Sequence, residues 1–505
     1  MPSPYRGRPR RGGGERFAVE TIPFDPPQHG RLVENYLVNF NLGLDRGASY
    51  SSSFTVYIYE VEGRGLYLVK EPYLEPEVSS VVEGAVENLS TWLAPSPIMA
   101  IDPVGYLFAE LKRAGYVGGM NSDEGVKAAT YYLLRDILGY GLVDPLLRDP
   151  EIEDVSCEGA GRAVKVWHRK VNANGWLETN VTLEESERLD SVVTRLVHRS
   201  NRSVSIASPV IDAVLPEGHR LTATWGREVT SLGSSFSIRK QRARPYTISE
   251  LVKFGTMDAK VASYLWTLLE MKGFVVLAGV PAAGKTTLLN SIASVLNPNW
   301  KILSIEDTRE INLPHTGWKP LHSRHSNSEA TSVTLFDLVK LSLRERPDFV
   351  ILGEARGEEV QALFQAAASG SGCLTTFHAS NTEGLVARLT QPPLSVARSS
   401  LDLIDAVVFM VRNQSGARYI QEVVEIEREP RPVFTFRSGR WEGSADLSEK
   451  LCKRGNGYGY SPSRLRLELE RRCSFLEKVV GKGISTHEVL EGELRRFYLS
   501  SSLTF

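Results

Sequence analysis

Cysteine is scarce in this chain of 505 residues, which contains four copies. None of them forms a C-x-x-C pair, because they stand far apart at Cys157, Cys373, Cys452 and Cys473. This spacing excludes paired zinc ligands, and so few cysteines do not make a disulfide framework for a chain of this length. The histidines contain no H-E-x-x-H motif, which excludes a zinc hydrolase of that type. We therefore expect reduced thiols and no structural metal.

The sequence also lacks a long apolar run and an excess of basic residues. A membrane-spanning helix needs roughly 20 apolar residues, whereas the longest apolar stretches here, such as 274–280 and 406–411, have the length of strands. Lysine and arginine total 59 against 60 aspartates and glutamates, which gives a net charge of −1. A protein that wraps nucleic acid needs a basic excess to neutralise phosphates. We therefore expect no nucleic-acid partner.

The first 20 residues are basic and have no apolar core, so they are not a signal peptide. Their arginines lie among glycine and proline, a composition that predicts a disordered tail. Two interpretations stay open. The tail is either solvated without a partner, or it is attracted to nucleic acid or to an anionic lipid surface, where it gives a peripheral membrane contact.

The pattern of apolar residues divides the rest of the chain. Strand-like alternation marks an N-terminal region, and mixed helix and strand patterns predict an α+β domain after it. Strands then alternate with helices, which predicts a parallel sheet with helices on both faces. The last part is predicted to be a mostly helical subdomain. The predicted divisions are 1–20 (basic tail), 21–96 (N-terminal region), 97–243 (α+β lobe), 244–250 (hinge), 251–415 (α/β domain) and 416–505 (C-terminal subdomain).

A glycine-rich loop opens the α/β domain. Residues 279–286 read G-V-P-A-A-G-K-T, which fits G-x-x-x-x-G-K-[ST], with an apolar strand before and a helical pattern after it. In this motif the backbone N–H groups face the β-phosphate, the lysine adds positive charge and the threonine hydroxyl ligates Mg²⁺. The positive end of the following helix adds to the anion site. The residues predicted to bind ATP are Gly279, Ala282, Ala283, Gly284, Lys285, Thr286 and Thr287, and Thr286 also binds Mg²⁺.

Three other predicted strands end in polar side chains. Glu354 follows one of them and is placed to orient the water that attacks a γ-phosphate. The acidic segment 306–310 follows a second, and we assign Glu306 to that water and Glu310 to Mg²⁺, partly through water. His378 ends the third and can bond a phosphate. The alternatives are a helix-starting glutamate, an acidic surface loop and a structural histidine. Ligands bind at the carboxyl ends of parallel strands, which favours the functional interpretation.

In this order and spacing, the four motifs resemble those of the secretion ATPase superfamily, which powers type II secretion, type IV pili, archaella and type IV secretion. The Walker A loop, Asp box, Walker B motif (G-E-A-R-G) and His box of that superfamily correspond to residues 279–286, 306–310, 353–357 and 370–378. The resemblance runs from about residue 142 to 412. Segments that resemble the archaeal branch in particular are 152–159, 208–220, 234–240 and 312–318.

This resemblance implies a RecA-like P-loop ATPase core with a preceding α+β, PAS-like domain. It implies a homohexameric motor that uses ATP hydrolysis to assemble a type IV pilus-like filament or archaellum, or to drive protein secretion. Such a motor docks on a polytopic platform protein at the cytoplasmic face of the cell membrane. The resemblance also suggests that arginines of the upstream domain reach a phosphate at a subunit or lobe boundary. Of Arg220, Arg227 and Arg239, we place Arg220 and Arg239 with the catalytic residues Glu354, Glu306 and His378.

Two alternative functions and one departure accompany the resemblance. A DNA-transfer or nucleic-acid-translocating ATPase can be built on the same core. A nucleotide-gated scaffold without catalysis is opposed by the intact Lys285, Thr286 and Glu354. The departure is in the His box, which usually opens Gly-His-Gly and here reads Gly-Ser-Gly, with Ser371 at the centre. The function of that first histidine is either absent or performed by Ser371.

Overall fold

The computed structural model divides the chain into two compact units, Met1–Arg242 and Ala243–Phe505. The basic tail predicted at 1–20 lies almost entirely outside the described part of the chain. The residues that the structure describes are 19–43, 49–76, 79–80, 82–84, 123–171, 175–242, 244–324, 332–413, 416–427, 430–445 and 448–502.

In the described part of the first unit, nine strands form one sheet in the order β1-β2-β3-β6-β5-β4-β9-β8-β7. Neighbouring strands are antiparallel, except that β3 and β6 run parallel. The strands are β1 (Arg31–Gly43), β2 (Ser49–Val61), β3 (Arg64–Lys70), β4 (Ile152–Cys157), β5 (Ala163–His168), β6 (Leu177–Thr182), β7 (Val210–Val214), β8 (Arg220–Thr224) and β9 (Ser235–Arg239).

Helices of the first unit pack on this sheet. They include α1 (Asp123–Leu133), α2 (Asp144–Arg148) and α3 (Ser186–Arg199). The buried residues of α3 recur at helical spacing, so one face is apolar and packs against β8 and β9. The buried residues of α3 are Leu189, Val192, Val193, Leu196 and Val197.

A buried polar network connects the N-terminal strands with the rest of this sheet. The hydroxyls of Tyr36 on β1 and Tyr67 on β3 donate to one carboxylate oxygen of Asp149, at 2.7 and 2.5 Å. His168 on β5 accepts backbone N–H groups at Nδ1, so its proton lies on Nε2, 3.0 Å from the Tyr36 oxygen. The fully buried Lys240 donates to the backbone carbonyl of Asp149. The N-terminal strands are thus part of the same packed body as β4–β9, and their apolar residues share one core.

In the second unit, nine strands of the described residues form a sheet in the order β12-β11-β13-β14-β10-β15-β16-β17-β18. The pairs from β12 to β15 are parallel, and those from β15 to β18 are antiparallel. The strands are β10 (Phe274–Gly279), β11 (Ile302–Glu306), β12 (Trp318–His322), β13 (Phe349–Leu352), β14 (Gly372–Phe377), β15 (Ala406–Arg412), β16 (Arg418–Glu425), β17 (Arg431–Arg437) and β18 (Arg440–Gly443).

Helices cover this sheet, and the alternation of strand and helix that the sequence predicts is confirmed. Among the described residues, no helix is both long and apolar enough to span a membrane. The α-helices of the second unit are α4 (Ile248–Lys253), α5 (Ala259–Glu270), α6 (Lys285–Ala293), α7 (Leu335–Arg344), α8 (Glu359–Ala368), α9 (Thr382–Thr390), α10 (Glu449–Gly457), α11 (Pro462–Gly481) and α12 (His487–Ser502).

The C-terminal part contributes more strand than the sequence pattern predicts. The pattern places the end of the α/β domain at residue 415, between β15 and β16, yet these two strands pair as an antiparallel hairpin. The strands β16, β17 and β18 therefore continue the sheet of the α/β domain, and the three helices α10–α12 follow. The alternation of apolar and polar residues is weak in these strands, because both faces of a strand carry charged side chains. Arg418–Glu425 is an example.

Candidate nucleotide-binding site

The loop after β10 has a backbone that only small residues can form. Gly279 has φ +155°, and a Cβ there would lie 2.5 Å from the carbonyl oxygen of Met410 on β15. Gly284 has φ +91°, a left-handed conformation that glycine adopts without strain. Ala282 also has a positive φ of 60°, which costs free energy in an alanine and marks a functional turn. The glycines of the motif are therefore required by the turn itself.

This loop leads into α6, whose first turn has no side-chain cap. The backbone N–H groups of that turn have no intrahelical acceptors, so an anion at this end satisfies them and meets the positive end of the helix. Thr286 and Thr287 lie half-buried in the same turn. The loop, the uncapped turn and the lysine thus fit the phosphates of a nucleotide.

The predicted Mg²⁺ ligands also fit a nucleotide-bound metal. The hydroxyl of Thr286 and the exposed carboxylate of Glu310 are oxygen donors, which Mg²⁺ prefers. Within the described ranges, no three His, Cys, Asp or Glu side chains form a cluster that could hold a metal.

Lys285, the lysine of the motif, is anchored to its own loop. It is buried, and its Nζ donates to the carbonyl oxygens of Gly279 and Val280, each at 3.0 Å. The same Nζ lies 3.3 Å from Nδ1 of His378. Burial lowers the pKa of Lys285, and the charge of Glu354 opposes this. The lysine therefore reaches both the loop and the end of β14.

Glu354 is held between a histidine and an arginine. Its Oε1 lies 3.1 Å from Nε2 of His378, and its Oε2 accepts a hydrogen bond of 2.5 Å from Arg356. Burial raises the pKa of Glu354, but the hydrogen bond and charge of Arg356, with smaller contributions from His378 and Lys285, bring it below the usual value. Burial and the nearby Lys285 lower the pKa of His378. Glu354 is thus an ionised carboxylate. It contacts His378, which in turn contacts Lys285.

The loop that carries Glu354 is fixed by backbone hydrogen bonds. It follows the buried strand β13, which places it at the carboxyl end of the sheet. The buried Glu359 accepts the backbone N–H groups of Arg356 and Gly357, both at 2.7 Å. On the other side, the hydroxyl of Thr376 on β14 donates to the carbonyl that precedes Glu354, at 2.7 Å. These bonds fix the backbone and leave the side chains of Glu354 and Arg356 to face the site.

Glu306 lies deeper than its neighbours. Its side chain is 3% exposed at the end of β11, and Oε1 accepts the backbone N–H groups of Glu310 and Ile311, each at 2.9 Å. Burial raises its pKa to about 7, partly offset by these two hydrogen bonds. The carboxyl group therefore shapes the acidic loop that presents Glu310. Its predicted action on water stays a prediction.

The two arginines assigned to catalysis lie in the first unit, whereas the phosphate loop lies in the second. Arg220 on β8 and Arg239 on β9 are direct neighbours across the strand pair. Both are exposed, and each pairs with an aspartate of an adjacent strand: Arg220 with Asp212 at 2.9 Å and Arg239 with Asp154 at 3.0 Å. Their action on a phosphate stays a prediction. The loop residue Arg227 is also exposed.

Ser371 does not share the position of His378. It precedes β14, whereas His378 follows it, so the two lie at opposite ends of one strand. At about 3.3 Å per residue, six strand residues separate them by roughly 20 Å. The hydroxyl of Ser371 donates to the carbonyl of Pro347 at 3.1 Å. Ser371 therefore lies at the end of β14 away from His378, and whether it performs the function of the first histidine stays open.

Three residues of the site had no assigned role in the sequence. The sequence places Arg356 in the Walker B motif and Asp307 in the acidic segment 306–310, and neither position indicates a specific role. Asn290 on α6 donates to the carbonyl of Glu310 at 3.2 Å and accepts the N–H of Asn312 at 2.8 Å, which joins the phosphate-loop helix to the acidic loop. The signal for Asn290 in the sequence is a polar residue on the buried face of a helix, which needs hydrogen-bond partners.

Fold and site together define a P-loop nucleotide-binding protein. The family model described as "Type II/IV secretion system protein" matches residues 146–439, and the chain belongs to that family. Membership of the secretion ATPase superfamily is therefore confirmed, as is the RecA-like core with a preceding α+β domain.

Several known proteins are similar to this chain. Uncharacterized protein MJ0900 of Methanocaldococcus jannaschii is 34% identical over 73% of this chain and 69% of its own length. A putative conjugal transfer protein of Mycobacterium tuberculosis is 26% identical over 61% of this chain and 90% of its own. The crystal structure of the VirB11 ATPase from the Brucella suis type IV secretion system is 24% identical, covering 56% of this chain and 92% of that one, with a TM-score of 0.29. That score is too low to support a conclusion of its own.

Proposed function

We propose that this chain hydrolyses Mg-ATP and, as a homohexamer, couples hydrolysis to assembly of a pilus-like filament or archaellum, or to protein secretion, at a membrane. The observation that carries the catalytic part is the unbroken contact from Lys285 through His378 to Glu354. It joins the lysine of the phosphate loop to a carboxylate at the end of the neighbouring strand. These are the two groups that phosphoryl transfer to water requires.

Each residue has a distinct task in this reaction. Bound Mg-ATP supplies the γ-phosphoryl group. ADP is the leaving group, and the metal would neutralise the charge that develops on its phosphate oxygens. The N–H groups of the loop and of the first turn of α6 bind phosphate oxygens. Lys285 exchanges its two loop carbonyls for phosphate oxygens, which are stronger partners because they are charged. Glu354 orients the attacking water, and His378 holds the carboxylate in place.

The motor part of the proposal rests on the family. The description of the matched family names type II and type IV secretion systems. The resemblance of the four motifs to the secretion ATPase superfamily implies a hexamer and a polytopic membrane platform. We place the protein at the cytoplasmic face of that membrane. Velocity sedimentation with and without an ATP analogue tests the hexamer, and an ATP-independent monomer under all conditions would contradict it.

Two substitutions test the catalytic part. Lys285→Ala removes the charge that binds phosphate, so we expect weak nucleotide binding and no turnover. Glu354→Gln keeps the shape and loses the carboxylate, so we expect bound ATP and a turnover lower by on the order of 10²–10⁴-fold. Lys260→Ala, an exposed lysine of α5, is the matched control and keeps wild-type rates. Mg-dependent hydrolysis at the wild-type rate by Glu354→Gln would refute the proposal.

A second candidate function is DNA transfer on the same core. The observation that favours it is the name of one relative, a putative conjugal transfer protein. The near-neutral charge of this chain opposes it. Titrating single- and double-stranded DNA into the ATPase assay decides between the two. A several-fold, salt-sensitive stimulation would favour DNA transfer, and an unchanged rate favours the filament or secretion motor.

A further inference from the structure

Five side chains form a continuous line across the site. Lys285 contacts His378 at 3.3 Å, and His378 contacts Glu354 at 3.1 Å. Glu354 bonds Arg356 at 2.5 Å, and the other terminal nitrogen of Arg356 lies 3.9 Å from Oδ2 of Asp307. Positive and negative groups thus alternate at the far end of the line, where the cation Arg356 lies between the carboxylates of Glu354 and Asp307. Arg356 stands between two carboxylates, near enough to pair with either.

The structure fixes the backbone of Arg356 and leaves its side chain room to move. Glu359 holds the backbone N–H of Arg356, as described above, while the Arg356 side chain is 57% exposed. The hydroxyl of Ser323 holds Oδ1 of Asp307 at 2.7 Å, so that Oδ2 is the oxygen nearest the arginine. The Arg356 side chain thus lies within 3.9 Å of Asp307 as well as against Glu354, while its backbone is held.

The two partners of Glu354 limit its action on water. Both carboxylate oxygens of Glu354 are engaged, one with His378 and one with Arg356. A carboxylate that orients water must offer an oxygen to it at hydrogen-bond distance. Each carboxylate oxygen has two lone pairs, so a water can still bond Oε2, but the charged bond to Arg356 competes with that water and makes Glu354 a weaker base. Release of Arg356 therefore favours the action of Glu354 on water.

We propose that Arg356 is a positioning residue that holds Glu354 in the nucleotide-free site and passes to Asp307 when Lys285 leaves His378 for a phosphate. This inference rests on the proposed ATPase function. The physical link is electrostatic. While Lys285 is near, it disfavours a proton on His378; once it leaves, His378 gains basicity and can hold Glu354 alone. Arg356 is then free to pair with Asp307.

A binding cycle tests the exchange without any turnover. The affinity for a non-hydrolysable ATP analogue is measured by calorimetry for Asp307→Asn, Arg356→Gln and the double variant. Asp307→Asn removes the second partner of Arg356, so releasing Glu354 becomes costly and the analogue should bind about 5- to 10-fold more weakly. In the double variant no Arg356 bond must break, so wild-type affinity should return. Losses that simply multiply in the double variant would overturn the proposal.

The pH dependence of turnover tests when Arg356 leaves Glu354. The profile of kcat/KM reports the free enzyme, and that of kcat reports the enzyme with substrate bound. Arg356→Gln removes a partner that lowers the pKa of Glu354, so the acidic limb of kcat/KM should move to higher pH while that of kcat stays. Arg356→Lys keeps the charge and should restore the wild-type limb. Equal movement of both limbs in Arg356→Gln would overturn the proposal, because the pair would then persist through the reaction.

A control variant and a measurement on the wild type distinguish failure of this inference from failure of the proposed ATPase function. Arg344→Gln removes an exposed arginine at the end of α7 and should leave binding and both profiles unchanged. Absence of Mg-dependent hydrolysis in the wild type would refute the proposed function itself. The binding cycle would still report whether Arg356 and Asp307 are coupled to nucleotide.

Discussion

Glu306 and Glu354 are both glutamates at strand ends, yet their surroundings differ. Glu354 is half-buried among cationic groups, whereas Glu306 is buried and bonds backbone N–H groups. An acceptor for backbone N–H groups can be an amide oxygen as well as a carboxylate. A water-orienting group at Glu354 needs the charge, so the two positions should respond differently to the same substitution.

If Glu306 acts only by shaping the acidic loop and not on the water, Glu306→Gln should retain ATPase activity within a few-fold, because the amide oxygen still accepts from Glu310 and Ile311. Glu306→Ala removes the acceptor and leaves two backbone donors unsatisfied, so turnover should fall by more than tenfold as the acidic loop loses its shape. Steady-state kinetics of both variants provide the measurement. An inactive Glu306→Gln with unchanged folding would instead place its charge in the chemistry.

The raised pKa of Glu306 also predicts a pH dependence of stability. Burial raises the pKa from 4.5 to about 7, so the folded state binds more protons than the unfolded state between these values. This contribution to stability is fully present below pH 4.5 and is lost as pH rises through 7. Glu306→Gln does not titrate, so its stability relative to the wild type should increase from pH 5 to pH 8. Urea unfolding of both proteins at the two pH values measures the difference, and a constant difference would contradict the assignment.

Ser371 and His378 give a contrasting pair in one motif. Because Ser371 lies at the far end of β14, Ser371→His should leave ATPase activity within a few-fold. His378→Ala removes the contact between Lys285 and Glu354 and should cost much more, on the order of 10²-fold. Parallel kinetics of the two variants rank them. The reverse ranking would mean that the serine end of the strand carries the chemistry.

At the scale of elements, the Asp149 network predicts that the N-terminal strands stabilise the first unit. Tyr67→Phe removes one of the two hydroxyl donors to a buried carboxylate, which should cost about 1–3 kcal/mol. Tyr59→Phe on β2 is the matched control and should cost little, because Tyr59 is part of no such network. Denaturant unfolding of the full chain, followed by hydrogen exchange of peptides from the first unit, gives both values. Equal midpoints for the two variants would contradict the prediction.

The elements that sequence patterns predicted have strong local signals. The buried strands β10, β13 and β14 are short apolar runs, and α3 has apolar residues at helical spacing, so hydrophobic periodicity was sufficient. The strand β12 was missed because it is an edge strand with Pro320 in its middle, a residue that pattern reasoning assigns to loops.

The same reasoning explains what could be predicted of the site. The phosphate loop and the strand-end residues follow from local motifs and from the rule that parallel strands bring their carboxyl ends together. Contacts between side chains of separate loops have no local signal. The contact of Glu354 with His378, and that of Arg356 with Asp307, depend on how β11, β13 and β14 align and required the structure.

At the scale of the whole molecule, the position of Arg220 can be tested by mixing inactive chains. If Arg220 acts on a phosphate held by a neighbouring subunit, Arg220→Ala should bind nucleotide and lose turnover. Rings assembled from equal amounts of Arg220→Ala and Glu354→Gln contain some interfaces with both residues intact. We expect activity about tenfold or more above either variant alone, because an arginine at the transition state contributes on the order of 10³–10⁵ in rate. Mixed rings that stay inactive would place Arg220 within its own subunit's site or outside catalysis.

The antiparallel strands that extend the second sheet limit how this protein can be shortened. A fragment ending at residue 415 would keep every nucleotide-binding motif, yet it would lose β16 and expose the backbone of the apolar strand β15 along its whole length. Bare apolar edges of this kind pair with other chains and aggregate. The same β15 supplies the Met410 carbonyl that packs against Gly279, so distortion there would reach the phosphate loop. A fragment designed to contain the nucleotide-binding site should therefore extend through β18, and we expect the shorter fragment to be insoluble because its sheet is incomplete.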